Sequence, residues 1–223
     1  MNWLFAPAPQ PSLPIAGEAT LFPVHRVFCV GRNYVEHVLE MGNEVDREAP
    51  FYFTKSAYAV SPPGNVAYPP GTSDLHHEVE LVLAIGAPLF RATPEQARAA
   101  IIAYAVGLDL TRRDLQAQAK EKRRPWDTSK DFEQSAVIAP LSRATPGPDI
   151  RLSVNGTLRQ ESGIDQMIFG PVELLCHLST LYHLEPGDLV MTGTPAGVAP
   201  LVVGDQVRAE VDGLPPLEIT VTG

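Results

Sequence analysis

The chain has 223 residues, of which 44% are hydrophobic, and a formal net charge of −9. That size and apolar content suit one globular domain with a short appendage. The acidic balance argues against a nucleic-acid backbone as partner, and no apolar run approaches the roughly 18 residues of a membrane span.

Prolines at positions 7, 9, 11 and 14 predict an extended N-terminal arm over residues 1–23, ahead of a domain over 24–223. The arm has neither the basic stretch nor the continuous apolar core of a signal peptide. Residues 26–31 read as a short apolar strand, stopped by Gly31. Asn33 is then expected to cap a short helix running to Met41, with Gly42 ending it. Residues 51–55 are a second, aromatic strand. Glu78 and Glu80 open an otherwise apolar run that reads as a buried strand to Ile85. Thr93, Pro94 and Glu95 predict the cap and first turn of a helix to about Ile102, feeding a strand over 104–110. Residues 111–123 are polar and charged and read as an exposed helix.

Asn155-Gly156 between two short strands is the preferred type I′ hairpin turn. Residues 171–184 predict a helix with an apolar face of Val172, Leu175, Leu178 and Leu181 or Tyr182. A turn at 186–188 leads into a strand over 189–192, and a last hairpin covers about 206–222. With 22 prolines, about twice the usual share, and 17 glycines, the whole predicts a β-rich α+β fold with few short helices. Cys29 and Cys176 form no CxxC pair. They are expected to be reduced, buried thiols of a cytoplasmic protein.

Several residues stand out chemically. Positions i and i+2 of a strand share a face, so Glu78 and Glu80 project together. Two adjacent buried anions need neutralising, and oxygen-only ligands favour Mg²⁺, Mn²⁺ or Ca²⁺. The alternative is a strand face turned to water. Asp109 is either a third ligand or an exposed strand-end acid. His37 and Glu40, three apart on a helix, are either a surface pair or a base oriented by a carboxylate. Lys130 either snorkels beside aromatic residues or fixes a carboxylate or oxyanion. The basic run 120–124 is a solvated helix end or an attraction for an anionic substrate. The turn 192–197 is an ordinary connection or a cradle for a carboxylate. There is no phosphate-binding loop, dinucleotide fingerprint or GxSxG elbow.

Six segments in order resemble the fumarylacetoacetate hydrolase family, in its smaller acylpyruvate-hydrolase branch. They are residues 31–37, 77–81, 108–116, 126–130, 154–160 and 187–197, with Lys55-Ser56 where many relatives have Lys-Pro. The resemblance implies a mixed β-roll, a homodimer, and one Mg²⁺ or Mn²⁺ held by Glu78, Glu80 and Asp109. It implies catalytic roles for His37, Glu40 and Lys130. Arg32, Arg113, Gln116, Thr192, Gly193 and Thr194 would contact a small 2-oxo acid substrate. The implied reaction is hydrolysis of the C–C bond of a 3-acylpyruvate, fumarylpyruvate foremost, as in aromatic catabolism through gentisate. Its rivals are oxaloacetate decarboxylation, isomerisation of an unsaturated 2-oxo diacid such as 2-hydroxyhepta-2,4-diene-1,7-dioate, and a non-catalytic dimeric module stapled by the ion.

Overall fold

The computed structural model of the chain describes residues 3–42 and 47–223. Its architecture is the expected strand-rich, mixed α+β roll with short helices. A seven-stranded sheet runs in the order Phe51–Lys55, Val27–Gly31, Leu189–Met191, Val79–Ile85, Ile101–Asp109, Ala136–Ile138, Val60–Ser61. Val27–Gly31 lies parallel to Leu189–Met191, whereas Val79–Ile85 is antiparallel to both of its neighbours. A five-stranded sheet, ordered Thr157–Gly163, Asp149–Val154, Gln206–Val211, Leu217–Thr222, Gly64–Ala67, packs on one face of the first.

Strand alternation sorts the side chains of the central strands into two cores. Val79, Leu81, Leu83 and Ile85 enter the larger core, shared with Ile150, Leu152 and Val207 of the second sheet. Val82 and Ala84 enter a smaller core on the opposite face, as do Ala103 and Ala105 of the neighbouring strand. The same alternation puts Glu80 and Asp109 on the smaller-core side, where apolar packing gives out. Between them Gly107 stands opposite Glu80. A Cβ there would lie 2.6 Å from Val82 Cγ2.

The smaller core is closed by the chain's own N-terminal segment. Residues 12–23, expected as part of an extended arm, form a hairpin of Ser12–Pro14 and Leu21–Pro23. Leu13, Ile15 and Phe22 are buried in the smaller core, where they cover apolar surface of that sheet face together with Leu141. Residues 3–11 carry neither strand nor helix.

Local signals behaved as their physics predicts. Thr93 and Gln96 form a reciprocal capping box around the helix Pro94–Ala100. Asn155 and Gly156 both have positive φ, the mark of the type I′ turn. Three expectations need correcting. Asn33 does not cap the helix Val35–Glu40, whose N-cap is Tyr34. Its buried amide instead donates to the carbonyls of Phe169 and Thr192 and accepts from Phe169 N–H, long-range bonds that outweigh a local cap. The exposed helix expected over 111–123 is the strand Thr111–Arg112 followed by the helix Arg113–Glu121, with Gln116 and Ala119 buried. The helix at 171 stops at Leu181; Leu174 joins Leu175 and Leu178 inside, while Leu181 and Tyr182 are exposed. Cys29 is buried and Cys176 half-buried, and neither is in a disulfide. Among the described residues no helix is long and apolar enough to cross a membrane.

Candidate functional site

Glu78 sits directly before the strand Val79–Ile85. Its carbonyl accepts the Asp109 N–H at 2.9 Å, so the pairing of the two central strands extends to the acids themselves. One carboxylate oxygen from each of Glu78, Glu80 and Asp109 lies within 4.8 Å of the others, and all three residues are buried.

The three acids are not equally compensated. Lys130 Nζ lies between two of them, donating to Glu78 Oε2 at 2.7 Å, Asp109 Oδ2 at 2.6 Å and Thr111 Oγ1 at 2.7 Å. Arg113 donates to the other oxygen of Glu78 and, at 2.6 Å, to Gln116 Oε1. Lys55 Nζ stands 2.8 Å from Asp109 Oδ1. Glu80 pairs with no lysine or arginine of the described residues; its Oε2 accepts the Gly193 N–H at 2.7 Å.

The proton affinities follow from this layout. Burial alone would push Glu78 up, but Lys130, Arg113 and His37 hold it below the usual carboxylate range. Burial, reinforced by the charges of Asp109 and Glu78, drives Glu80 well above that range. Burial disfavours the charge on Lys130, yet Asp109 and Glu78 outweigh it and keep the ammonium protonated.

This donor set fits a hard divalent cation: three converging oxygens, no sulfur or nitrogen, and one carboxylate that lacks a counter-charge. Glu80 sets the sign of the pH response. Its raised value means that the metal-free folded protein holds a proton there, and that this contribution to stability is lost as pH rises through the raised value. A cation competing with the proton for the same oxygens gains affinity over the same interval. At fixed Mn²⁺, the rise in Tm is therefore expected to grow as pH is raised above the ordinary carboxylate range. A rise that is flat or shrinks with increasing pH in differential scanning fluorimetry would remove Glu80 from the ion's ligands.

The helix Val35–Glu40 brings the second group. His37 Nδ1 lies 3.2 Å from Glu40 Oε2. A carboxylate only accepts, so Nδ1 carries the hydrogen, and in the neutral ring Nε2 is the nitrogen left with a lone pair. Glu40 Oε1 accepts the Gly197 N–H at 2.9 Å, which ties this helix to the turn after strand Leu189–Met191. His37 lines the same cavity as Glu78, Glu80 and Asp109, together with Arg32, Arg113, Gln116, Lys130 and Thr194.

Nine of the twelve residues singled out from the sequence thus share one cavity. Glu40 reaches it through His37. Thr192 and Gly193 do not line it: the Thr192 hydroxyl donates to the Leu81 carbonyl, and the Gly193 N–H is taken by Glu80. The turn does cradle a carboxylate, but it is the protein's own. Gly193 has φ +97°, and a Cβ there would meet Asn33 Cβ at 2.7 Å, so only glycine brings this N–H so close. Thr194 Oγ1 accepts from Gln160 Nε2 at 2.8 Å, which turns its own hydrogen toward other acceptors.

Sequence reading passed over Lys55 and Gln160. Lys55 is buried at the end of an aromatic strand, and a lysine closing the run Phe51-Tyr52-Phe53-Thr54 was the available signal. Gln160 is buried, accepts the Val79 N–H, contacts His77 Nδ1 and donates to Thr194 and Pro195, so it links the acidic strand to the turn.

An all-oxygen acidic triad at the ends of two central strands, flanked by buried lysines and a carboxylate-oriented histidine, is an arrangement that can hold a hard divalent cation beside a proton acceptor. The chain belongs to the fumarylacetoacetate hydrolase family: the model of the family described as fumarylacetoacetate (FAA) hydrolase, C-terminal, matches residues 26–222. It is 48% identical over 188 residues to a fumarylpyruvate hydrolase of a Ralstonia species, covering 81% of this chain and 98% of that one. It is 41% identical over 199 residues to an oxaloacetate tautomerase of Escherichia coli (strain K12), covering 86% of this chain and 90% of that one. Its fold is similar to the crystal structure of fumarylpyruvate hydrolase from Pseudomonas aeruginosa in complex with Mn²⁺ and pyruvate, with a TM-score of 0.96, 45% identity and 99% of both chains covered.

Proposed function

We propose that the chain hydrolyses the C–C bond of a 3-acylpyruvate, with fumarylpyruvate as its substrate, and that Glu78, Glu80 and Asp109 hold the Mg²⁺ or Mn²⁺ on which the reaction depends. The observation that carries this reading is the His37–Glu40 pair lining one cavity with the acidic triad. The Ralstonia and Pseudomonas relatives, and the Mn²⁺ and pyruvate of the latter, support it.

When bound, the cation supplies a Lewis acid to the 2-oxo acid head of the substrate and offsets the negative charge that develops there. The chain's own groups do the rest. Arg113, Gln116 and the Thr194 hydroxyl orient the head, and Arg32 lies at the cavity's rim. His37 Nε2 takes a proton from water, while Glu40 holds the ring and stabilises the imidazolium. The hydroxide adds to the distal carbonyl. The bond between that carbon and C3 breaks, and its electrons pass into the enolate of pyruvate. Lys130 adds positive charge beside that enolate. The proton held on the His37 imidazolium then passes to C3, giving pyruvate and restoring the base, and the acyl group leaves as a carboxylic acid. The Glu40–Gly197 contact would hold the helix closed over this chemistry and exclude bulk water. Together with the homodimer of the family, a cytoplasmic site of action completes the reading, in keeping with two cysteines outside any disulfide.

The similarity to an oxaloacetate tautomerase favours a second reading, in which the same cation and lysine serve an enol of oxaloacetate without attack by water. A panel of fumarylpyruvate, acetylpyruvate and oxaloacetate separates the two. With Mg²⁺ or Mn²⁺, loss of enol absorbance from fumarylpyruvate is expected to match pyruvate release mole for mole. Consumption of oxaloacetate alone would give the site to the second reading. Chelation is expected to abolish turnover while the far-ultraviolet circular dichroism stays native; unfolding with no activity to lose would mark the ion as a structural staple.

A further inference from the structure

Resting on the acylpyruvate reading above, we propose that Lys120, set over the face of Trp126, binds the distal carboxylate of a dicarboxylic substrate and so selects a fumaryl-type acyl group over an uncharged one. The observation is geometric. Positions 113, 116 and 120 of the helix Arg113–Glu121 share one face, and all three residues line the cavity that holds the acidic triad. Of the basic run 120–124, Lys122, Arg123 and Arg124 are exposed, and Lys120 alone turns inward and is half-buried.

The cations of the cavity are engaged very differently. Lys130 serves three oxygens, and Arg113 serves Glu78 and Gln116. Lys120 Nζ lies 5.2 Å from the Trp126 ring centroid, and no carboxylate of the described residues forms a salt bridge with it. Burial, and then the like charges of Arg113 and Arg32, pull its pKa down to about 8. An ammonium held in such surroundings is relieved by an anion; among the described residues Glu78 offsets part of the cost through its charge, but no carboxylate pairs with Lys120 directly. A cation–π contact with Trp126 fixes the position of the charge without neutralising it.

The wall beside Lys120 suits the chain that would carry this anion. Trp126 stands edge-on to Phe51 at 5.1 Å between centroids and tilted against Phe53 at 6.1 Å, and Phe53 and Trp126 both line the cavity. A flat, conjugated acyl chain can lie along such a surface. With its 2-oxo acid head at the triad, a fumaryl chain ends in a carboxylate that needs a second cation, whereas an acetyl chain ends in a methyl group that does not.

The test compares Lys120→Met and Lys120→Arg with the unmodified Mn²⁺-loaded protein, on fumarylpyruvate and on acetylpyruvate. Lys120→Met is expected to lower the ratio of kcat/KM for fumarylpyruvate to that for acetylpyruvate by about 10- to 100-fold, mostly through KM. Lys120→Arg, which keeps the charge, is expected to restore most of it. A ratio that stays within about threefold in Lys120→Met overturns the proposal. Calorimetric Kd values on the same proteins keep this outcome apart from the fate of the hydrolase reading. If the protein binds both compounds and cleaves neither, hydrolysis is wrong, and the ratio of Kd values still decides the role of Lys120. Binding of neither compound overturns both.

Discussion

Replacing His37 with alanine is expected to lower kcat by about 10²- to 10⁴-fold, the usual contribution of a positioned general base, while leaving the Kd for Mn²⁺ nearly unchanged. The expectation rests on which ring nitrogen does what. Nδ1 is committed to Glu40 at 3.2 Å, and the acidic triad has three oxygens of its own within 4.8 Å of one another. The imidazole is therefore not needed to hold the ion. Glu40→Gln is expected to fall between wild type and His37→Ala, because an amide can still position the ring but no longer stabilises the imidazolium. Paired measurements of turnover and of Mn²⁺ binding by calorimetry decide the matter. A parallel loss of metal affinity in His37→Ala would make the histidine a ligand and leave the reaction without its proposed base.

Replacing Lys130 with methionine should have the largest effect on the fold. The ammonium is buried and serves Glu78, Asp109 and Thr111 at once. Methionine fills a similar volume but leaves two carboxylates short of a counter-charge in a dry site. Removing one partner of such a cluster costs about 3–5 kcal/mol. The metal-free variant should therefore unfold at distinctly lower urea than metal-free wild type, and Mn²⁺ should recover part of the difference by replacing the lost positive charge. A loss below about 1 kcal/mol, or no recovery with Mn²⁺, would mean that Lys55 and Arg113 alone suffice to hold the acids.

Signals that act over a few residues were legible in the chain. The reciprocal cap at Thr93 and Gln96, the positive-φ pair Asn155-Gly156, and the two-residue spacing of Glu78 and Glu80 each depend on near neighbours. What stayed hidden depends on partners far along the chain. Asn33 looks like a helix cap until Phe169 and Thr192 claim its amide. Lys55 looks like the end of an edge strand until Asp109 arrives beside it. The helix Arg113–Glu121 reads as solvated because its inward face is charged, yet that face lines the cavity, where polar groups are wanted. Composition cannot separate a polar face turned to water from one turned to a polar ligand. Only the packing around it can.

The turn that follows Leu189–Met191 grips the two halves of the site at once, Glu80 through Gly193 N–H and Glu40 through Gly197 N–H. A single stretch of main chain thus sets the spacing between the proposed base and the acidic triad, and it does so with atoms that no side-chain substitution can delete. On the proposed reading, substitutions at Lys120, Trp126 and Phe53 would alter which acyl group is accepted while leaving the main-chain contacts to Glu80 and Glu40 in place.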